Sequence, residues 1–306
     1  MLFGLADLGR HGLGHSLPAW ARCVVWSHQT GAPMIAPQWF KLRIGPYLRR
    51  ERDKRNYFLL FRSPGYVAGL RRLRLLAGAR RVMAGSDTGT LPARAQAGGD
   101  TIVVFKNAVV ANSKTHFHEF RDHHALLHSE IRRITRPRYL PKPFAEATVA
   151  VHIRMGDFIA HVSEEDLKAR LTNSRIPLSW YVESLAKVRG VLGRDVPAVV
   201  FSDGPDADLA AILSLPNVRR APRQPSITDM LSIAQAQLLI ASGSGFSTWG
   251  RFFGQVPAIC FPGQSDVWAV VADPEVECGP GEALPEILVD RLRGAFLGPS
   301  PPTAAY

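Results

Sequence analysis

Thr148-Val149-Ala150-Val151-His152-Ile153-Arg154-Met155-Gly156-Asp157 runs from β-branched and small apolar residues straight into a turn bearing an arginine, a glycine and an acid. A strand covered by helices on both faces reads as such a continuous apolar run, the mark of a parallel sheet. Moving outward, Pro197 to Phe201 repeats the pattern and ends in Ser202-Asp203-Gly204. Leu238 to Ala241 repeats it again and passes into Ser242-Gly243-Ser244-Gly245-Phe246-Ser247-Thr248-Trp249-Gly250. Further short apolar runs at 2–8, 57–61, 101–105 and 257–261 alternate with helix-length stretches. The alternation predicts an α/β protein built on parallel strands.

A chain of 306 residues exceeds one hydrophobic core, which predicts two domains. The proline-bearing stretch Arg136 to Pro143 follows a helix-like segment at 117–134 and precedes the strongest strand, so the boundary is placed there. The expected division is a domain at 1–140, a domain at 141–297 and a flexible tail at 298–306. With 46% hydrophobic and 21% charged residues, disorder is expected only in that tail. The opening residues lack a basic leader followed by an apolar core, and no segment reaches the ~20 apolar residues of a membrane span. A soluble, cytoplasmic protein is the expectation. Three widely spaced cysteines, Cys23, Cys260 and Cys278, argue against a disulfide scaffold or zinc knuckle.

Thirty-seven Lys and Arg against 26 Asp and Glu give a net charge of +11, which draws anionic partners. The excess is concentrated early, with seven basic residues between Lys41 and Arg55 and five between Arg71 and Arg81. A solvated basic face, a phosphorylated or lipid-linked acceptor at an anionic membrane, and nucleic acid all remain open on charge alone.

The chemistry lies at the strand tips, where open α/β sheets bind ligands. Arg154 offers a planar fork suited to neighbouring phosphate oxygens; its alternative is a turn clamp with Asp157. Asp203 could accept from a base or ribose hydroxyl, or cap the helix after Pro205. The serine-glycine turn at 242–247 lets backbone N–H groups approach a phosphate at a helix start, with a simple capped turn as the plain alternative. It lacks the lysine of a Walker loop. At the amino terminus Gly12, Gly14 and His15 occupy a glycine-bearing turn before a helix expected at 17–30; the spacing of Gly9, Gly12 and Gly14 is not that of a dinucleotide fingerprint. Asp206-Ala207-Asp208 fits a helix start better than a metal site, and His124 with His128 fits a polar helix face better than a zinc pair. Trp249, Phe252 and Phe253 fall at helical spacing and fit a core, and packing is also the plainer reading of Trp20, Trp26 and Trp39.

Together these segments resemble the α1,2-fucosyltransferases and the wider GT-B fucosyltransferase superfamily. His152-Ile153-Arg154-Met155-Gly156-Asp157 is similar to the family's H-x-R-R-G-D, Val200 to Asp203 to its second motif, and Ser242 to Trp249 to its S-x-S-x-F-S-x-W segment. Gly12-Leu13-Gly14-His15-Ser16 is similar to the family's G-L-G-N-Q turn. Met155 stands where many members carry a second arginine, and His15 where they commonly carry asparagine. The resemblance covers roughly 3–36 and 148–261.

It implies two Rossmann-like domains facing across a cleft, the first on the acceptor side and the second binding the donor. It implies an enzyme that transfers fucose from GDP-fucose to a glycan or lipid-linked glycan hydroxyl, inverting and metal-independent, with no cofactor beyond the donor substrate. By that likeness Arg154 holds the diphosphate, Asp203 the guanosine portion, and Ser244, Gly245, Phe246 and Ser247 the pyrophosphate. Gly12, Gly14 and His152 complete the donor set, and Asp157 and His15 are the candidates for a general base. The competing readings are a GT-B transferase using another nucleotide sugar, and a basic protein binding nucleic acid or an anionic surface. Peripheral contact with an inner membrane face accompanies the enzyme reading; nucleic acid does not.

Overall fold

The computed structural model describes residues 1–9, 12–40, 56–85, 99–106, 117, 120–156, 158–160, 163–169, 174–265 and 275–298. The expected tail, apart from Gly298, lies outside them, as do Lys41 to Arg55 and Asp157. The chain divides into two compact units, Met1–Leu140 with Pro225–Ile227, and Pro141–Gln224 with Thr228–Tyr306.

The first unit carries a four-stranded parallel sheet in the order β2-β1-β4-β3, formed by β1 Leu2–Asp7, β2 Met34–Ile35, β3 Arg80–Met83 and β4 Thr101–Lys106. The helix Leu13–Thr30 follows β1 and buries Leu17, Trp20, Cys23 and Trp26. It begins four residues earlier than the sequence pattern suggests, so Gly14 and His15 belong to its first turn. A glycine is tolerated there because the first helical amides have no partner within the helix. The apolar run at 57–61 forms a turn rather than a strand. Tyr57, Leu60 and Phe61 are buried while Phe58 and Leu59 are exposed, a spacing that a strand cannot produce. The helix before the linker runs from His124 to Ile134, preceded by a 3-10 turn at Arg121–His123.

The second unit carries a six-stranded parallel sheet in the order β10-β9-β8-β5-β6-β7. Its strands are β5 Val149–Ile153, β6 Ala198–Ser202, β7 Val218–Arg220, β8 Leu238–Ala241, β9 Ala258–Cys260 and β10 Glu275–Glu277. Every residue of β5, β6, β8 and β9 is buried, except that none of these strands is longer than five residues. One face of the sheet packs Val149, Val151, Ile153 and Met155 against Trp180, Leu185 and Leu288. The other packs Ala150, Val199, Phe201 and Leu239 against Ile233 and Val256. Helices on both faces are thus the reason these strands read as unbroken apolar runs. Trp249, Phe252 and Phe253 are core residues, packed ring to ring. The cysteines are free and buried. No helix among the described residues is long and apolar enough to cross a membrane.

Candidate functional site

In the six-stranded sheet the chain builds outward from β5 through β6 to β7, then returns to place β8 on the other side of β5. That reversal lies at the carboxyl ends of β5 and β8, the place where doubly wound sheets bind ligands. The segment after β5 begins with Arg154, and the segment after β8 is the serine-glycine turn.

Strand alternation places Ala150, His152 and Arg154 toward one face and Ile153 and Met155 toward the other. Register aligns Ile153 with Ser202, so Arg154 and Asp203 leave their strands side by side. Arg154 Nη1 lies 2.5 Å from Asp203 Oδ2, and the backbone N–H of Met155 donates to Asp203 Oδ1 at 2.8 Å. The guanidinium also lies over the Phe158 ring, 5.7 Å from its centroid. Arg154 is 31% exposed and Asp203 18%, so the pair is partly open to solvent beyond the strand ends. Asp203 does not cap the following helical turn; Asp206 holds that position and pairs with Arg220. A Cβ on Gly156 would fall on Asp203 Oδ2, so only glycine lets the β5 turn approach the carboxylate this closely.

The serine turn is wired to β5 through His152. The imidazole is 6% exposed, and its Nδ1 stands 2.8 Å from Ser242 Oγ and 2.6 Å from Ser247 Oγ. Ser242 donates to Ser244 Oγ at 3.2 Å, and Ser244 Oγ accepts the N–H of Ser247, capping the helix Gly245–Gly254. The Phe246 ring stacks on the imidazole at 5.1 Å. Gly243 takes φ +54, and the buried Gln264 fills the space a side chain there would occupy. Gly245 is exposed, and a Cβ there would meet nothing within 4 Å beyond its own helix and chain neighbours. A helix start with an exposed glycine suits an anion, since the first helical amides have no partner within the helix.

Burial is the largest influence on His152 and lowers its pKa from 6.5 to about 4; the Asp203 carboxylate opposes this and Arg154 adds to it. The ring is therefore neutral near pH 7, with one protonated and one accepting nitrogen. Since each serine hydroxyl can donate or accept, the network tolerates either tautomer.

Met155 belongs to the core face of β5, 9% exposed, with its thioether against Gly204. An arginine in that orientation would bury its charge, which accounts for the methionine. Two residues without a motif signal brace the site. Arg175 Nε donates to the carbonyls of Met155 at 2.9 Å and Phe158 at 3.1 Å, holding both ends of the turn after β5. Arg220 Nη2 donates to the carbonyls of Ser202 at 3.1 Å and Gly204 at 2.5 Å, fixing the turn that carries Asp203. Both bond backbone carbonyls, which leaves no spacing to read in a sequence.

In the first unit, Gly12 is the extended N-cap residue of Leu13–Thr30, and no side chain caps that helix. His15 is exposed on its first turn. Asp157 lies outside the described residues. Among the described residues no group of three or more His, Cys, Asp or Glu could hold a metal ion.

No protein-family model and no curated protein sequence matches the chain. Among solved structures it is similar to NodZ α-1,6-fucosyltransferase soaked with GDP-fucose, at 16% identity over 85% of this chain and 94% of that one, with a TM-score of 0.43. POFUT1 in complex with GDP-fucose is similar at 9% identity over 92% and 97%, with a TM-score of 0.48. Fucosyltransferase NodZ from Bradyrhizobium is similar at 16% identity over 81% and 91%, with a TM-score of 0.46.

Proposed function

We propose that this protein is a glycosyltransferase that moves fucose from GDP-fucose to a glycan hydroxyl with inversion and without a metal. The observation that carries the reading is Arg154 and the Ser244 to Ser247 turn, brought to the two sides of the β5/β8 reversal and joined through His152. In the reaction the bond between the anomeric carbon and the β-phosphate oxygen breaks, and negative charge collects on the departing diphosphate. The Arg154 guanidinium and the amides at the start of Gly245–Gly254 are preorganised donors for that charge, and one such donor is worth about 3 kcal/mol of barrier. The acceptor hydroxyl attacks from the opposite side and loses its proton to a base, for which Asp157 and His15 are the candidates.

Asp203 holds Arg154 through one oxygen and the Met155 amide through the other. A carboxylate has about four acceptor positions, so this bracing is compatible with a second task toward the guanosine portion. The unit beginning at Pro141 is accordingly the donor side, and the unit beginning at Met1 the acceptor side.

A nucleotide panel tests the donor. GDP and GDP-fucose should raise the melting temperature more than UDP, UDP-sugars or CMP do, because ligand binding to the folded state adds to stability. Fucosyl transfer or GDP release should persist in excess EDTA. Stabilisation by UDP-sugars and not by GDP would replace this reading with a transferase of another nucleotide sugar. The base is tested by pH profiles of Asp157→Asn and His15→Asn, where an unaltered rate and profile removes that residue from the role.

A further inference from the structure

A second surface of the molecule carries no part of the donor site. Residues 69–83 contain five arginines and no acid. They form the helix Gly69–Gly78 and the edge strand β3. The helix packs Leu75 and Leu76 against Phe3, Ile35, Ile102 and Val104 of its sheet. Positions 70, 73, 74 and 77 share the opposite face, and all four are exposed, Leu70 at 73% and Leu73 at 57%. The register of β3 aligns Arg81 with Ile102 and Met83 with Val104, so Arg81 and Met83 look to the sheet face that this helix covers. Arg81 Nη2 donates to the Leu76 carbonyl at 2.6 Å, which joins the strand to the last turn of the helix. Met83 is itself 49% exposed. Asp100, at the adjoining start of β4, has its carboxylate against the Met1 amine.

Single exposed apolar side chains are ordinary, but two leucines one turn apart, in a helix that carries three arginines and no acid of its own, are an interfacial pattern. Nucleic acid would reward the arginines and leave the leucines in water. A bilayer of anionic lipid rewards both, since headgroups meet the guanidinium groups and the acyl boundary takes up the leucines. We infer that the exposed helix face of Leu70, Leu73 and Arg74 docks the protein on an anionic lipid surface. The inference stands apart from the donor reading, since none of these residues belongs to that site.

Flotation of the full chain tests it, using vesicles of equal parts phosphatidylcholine and phosphatidylglycerol beside vesicles of phosphatidylcholine alone. The protein should float with the mixed vesicles and stay behind with the neutral ones. Leu70→Ser with Leu73→Ser should weaken partition about tenfold, since each lost leucine removes apolar area from the acyl boundary. Arg74→Gln should weaken it about fivefold. Both variants should keep the wild-type melting temperature and donor binding, as the altered side chains are exposed. Equal flotation with both vesicles, or flotation that the double serine variant leaves unchanged, overturns the inference. So does a concentration-dependent dimer in sedimentation that the double serine variant abolishes, which would assign the face to a second copy. Retention on duplex DNA without flotation overturns it as well.

Discussion

Two helices begin just beyond central strands of their sheets, and they begin differently. After β1, the helix Leu13–Thr30 starts at Gly12 with no side-chain cap; the Gly12 carbonyl takes the N–H groups of His15 and Ser16, and Ser16 Oγ turns back to the carbonyls of Leu8 and Gly12. After β8, Ser244 caps Gly245–Gly254, and the capped residue Ser247 reaches His152 on the neighbouring strand. The first start is a backbone turn. The second is fixed by hydroxyls to the strand that presents Arg154, so its amides and the guanidinium keep their mutual geometry. Preorganisation of that kind is what the proposed stabilisation of a leaving group demands.

The contrast can be broken by experiment, and the largest effect is expected at the arginine. Arg154→Ala should lower fucosyl turnover at least about a hundredfold in a protein that still folds, as loss of one preorganised donor does. A folded variant with near-normal turnover removes the basis for assigning chemistry to the second start. The next effect concerns the wiring. Above about pH 6.5 His152 is neutral whether the chain is folded or not; between 6.5 and about 4 only the unfolded chain takes up the proton. Stability should therefore decline as pH falls through that window, by up to about 3 kcal/mol, and the decline from this residue should end below it. Chemical denaturation across this range should show a shallower slope for His152→Gln than for wild type, and identical slopes would mean that the ring is not held neutral by burial.

Ser244→Ala removes the cap and one hydroxyl of the serine cluster, which should cost about 1 kcal/mol in urea denaturation. Gly12→Ala should cost less, about 0.5 kcal/mol, because alanine is a poorer N-cap than glycine but no side-chain cap is lost, and among the described residues a Cβ would meet the Tyr57 hydroxyl at an unstrained 3.9 Å. Equal costs at the two positions would show that the two helix starts do not differ in the way described.

Much of the second unit was legible in the sequence, for a physical reason. Strands β5, β6, β8 and β9 are covered on both faces, so apolar runs of three to five residues mark them, and the polar groups of the candidate site follow the runs of β5, β6 and β8. The edge strands were not legible. Three of the four, Val218–Arg220, Glu275–Glu277 and Arg80–Met83, are short and charged because an edge has one hydrogen-bonded neighbour and faces solvent, and the fourth, Met34–Ile35, is only two residues, both buried. The run at 57–61 misled in the other direction: enough apolar residues for a strand, with a spacing that suits a turn.

The residue types of the candidate site and their order along the chain were determined by the sequence alone, because an arginine, an acid or a serine-glycine turn at a strand tip carries its chemistry with it. Only the tertiary structure decided the partners. Arg154 could have been assigned to Asp157 or to a phosphate from spacing, whereas register sets it beside Asp203. The linkage of His152 to Ser242 and Ser247, and the clamps from Arg175 and Arg220, join segments far apart in the chain. Strand order creates those contacts, and strand order depends on which buried faces pack together rather than on any local run of residues.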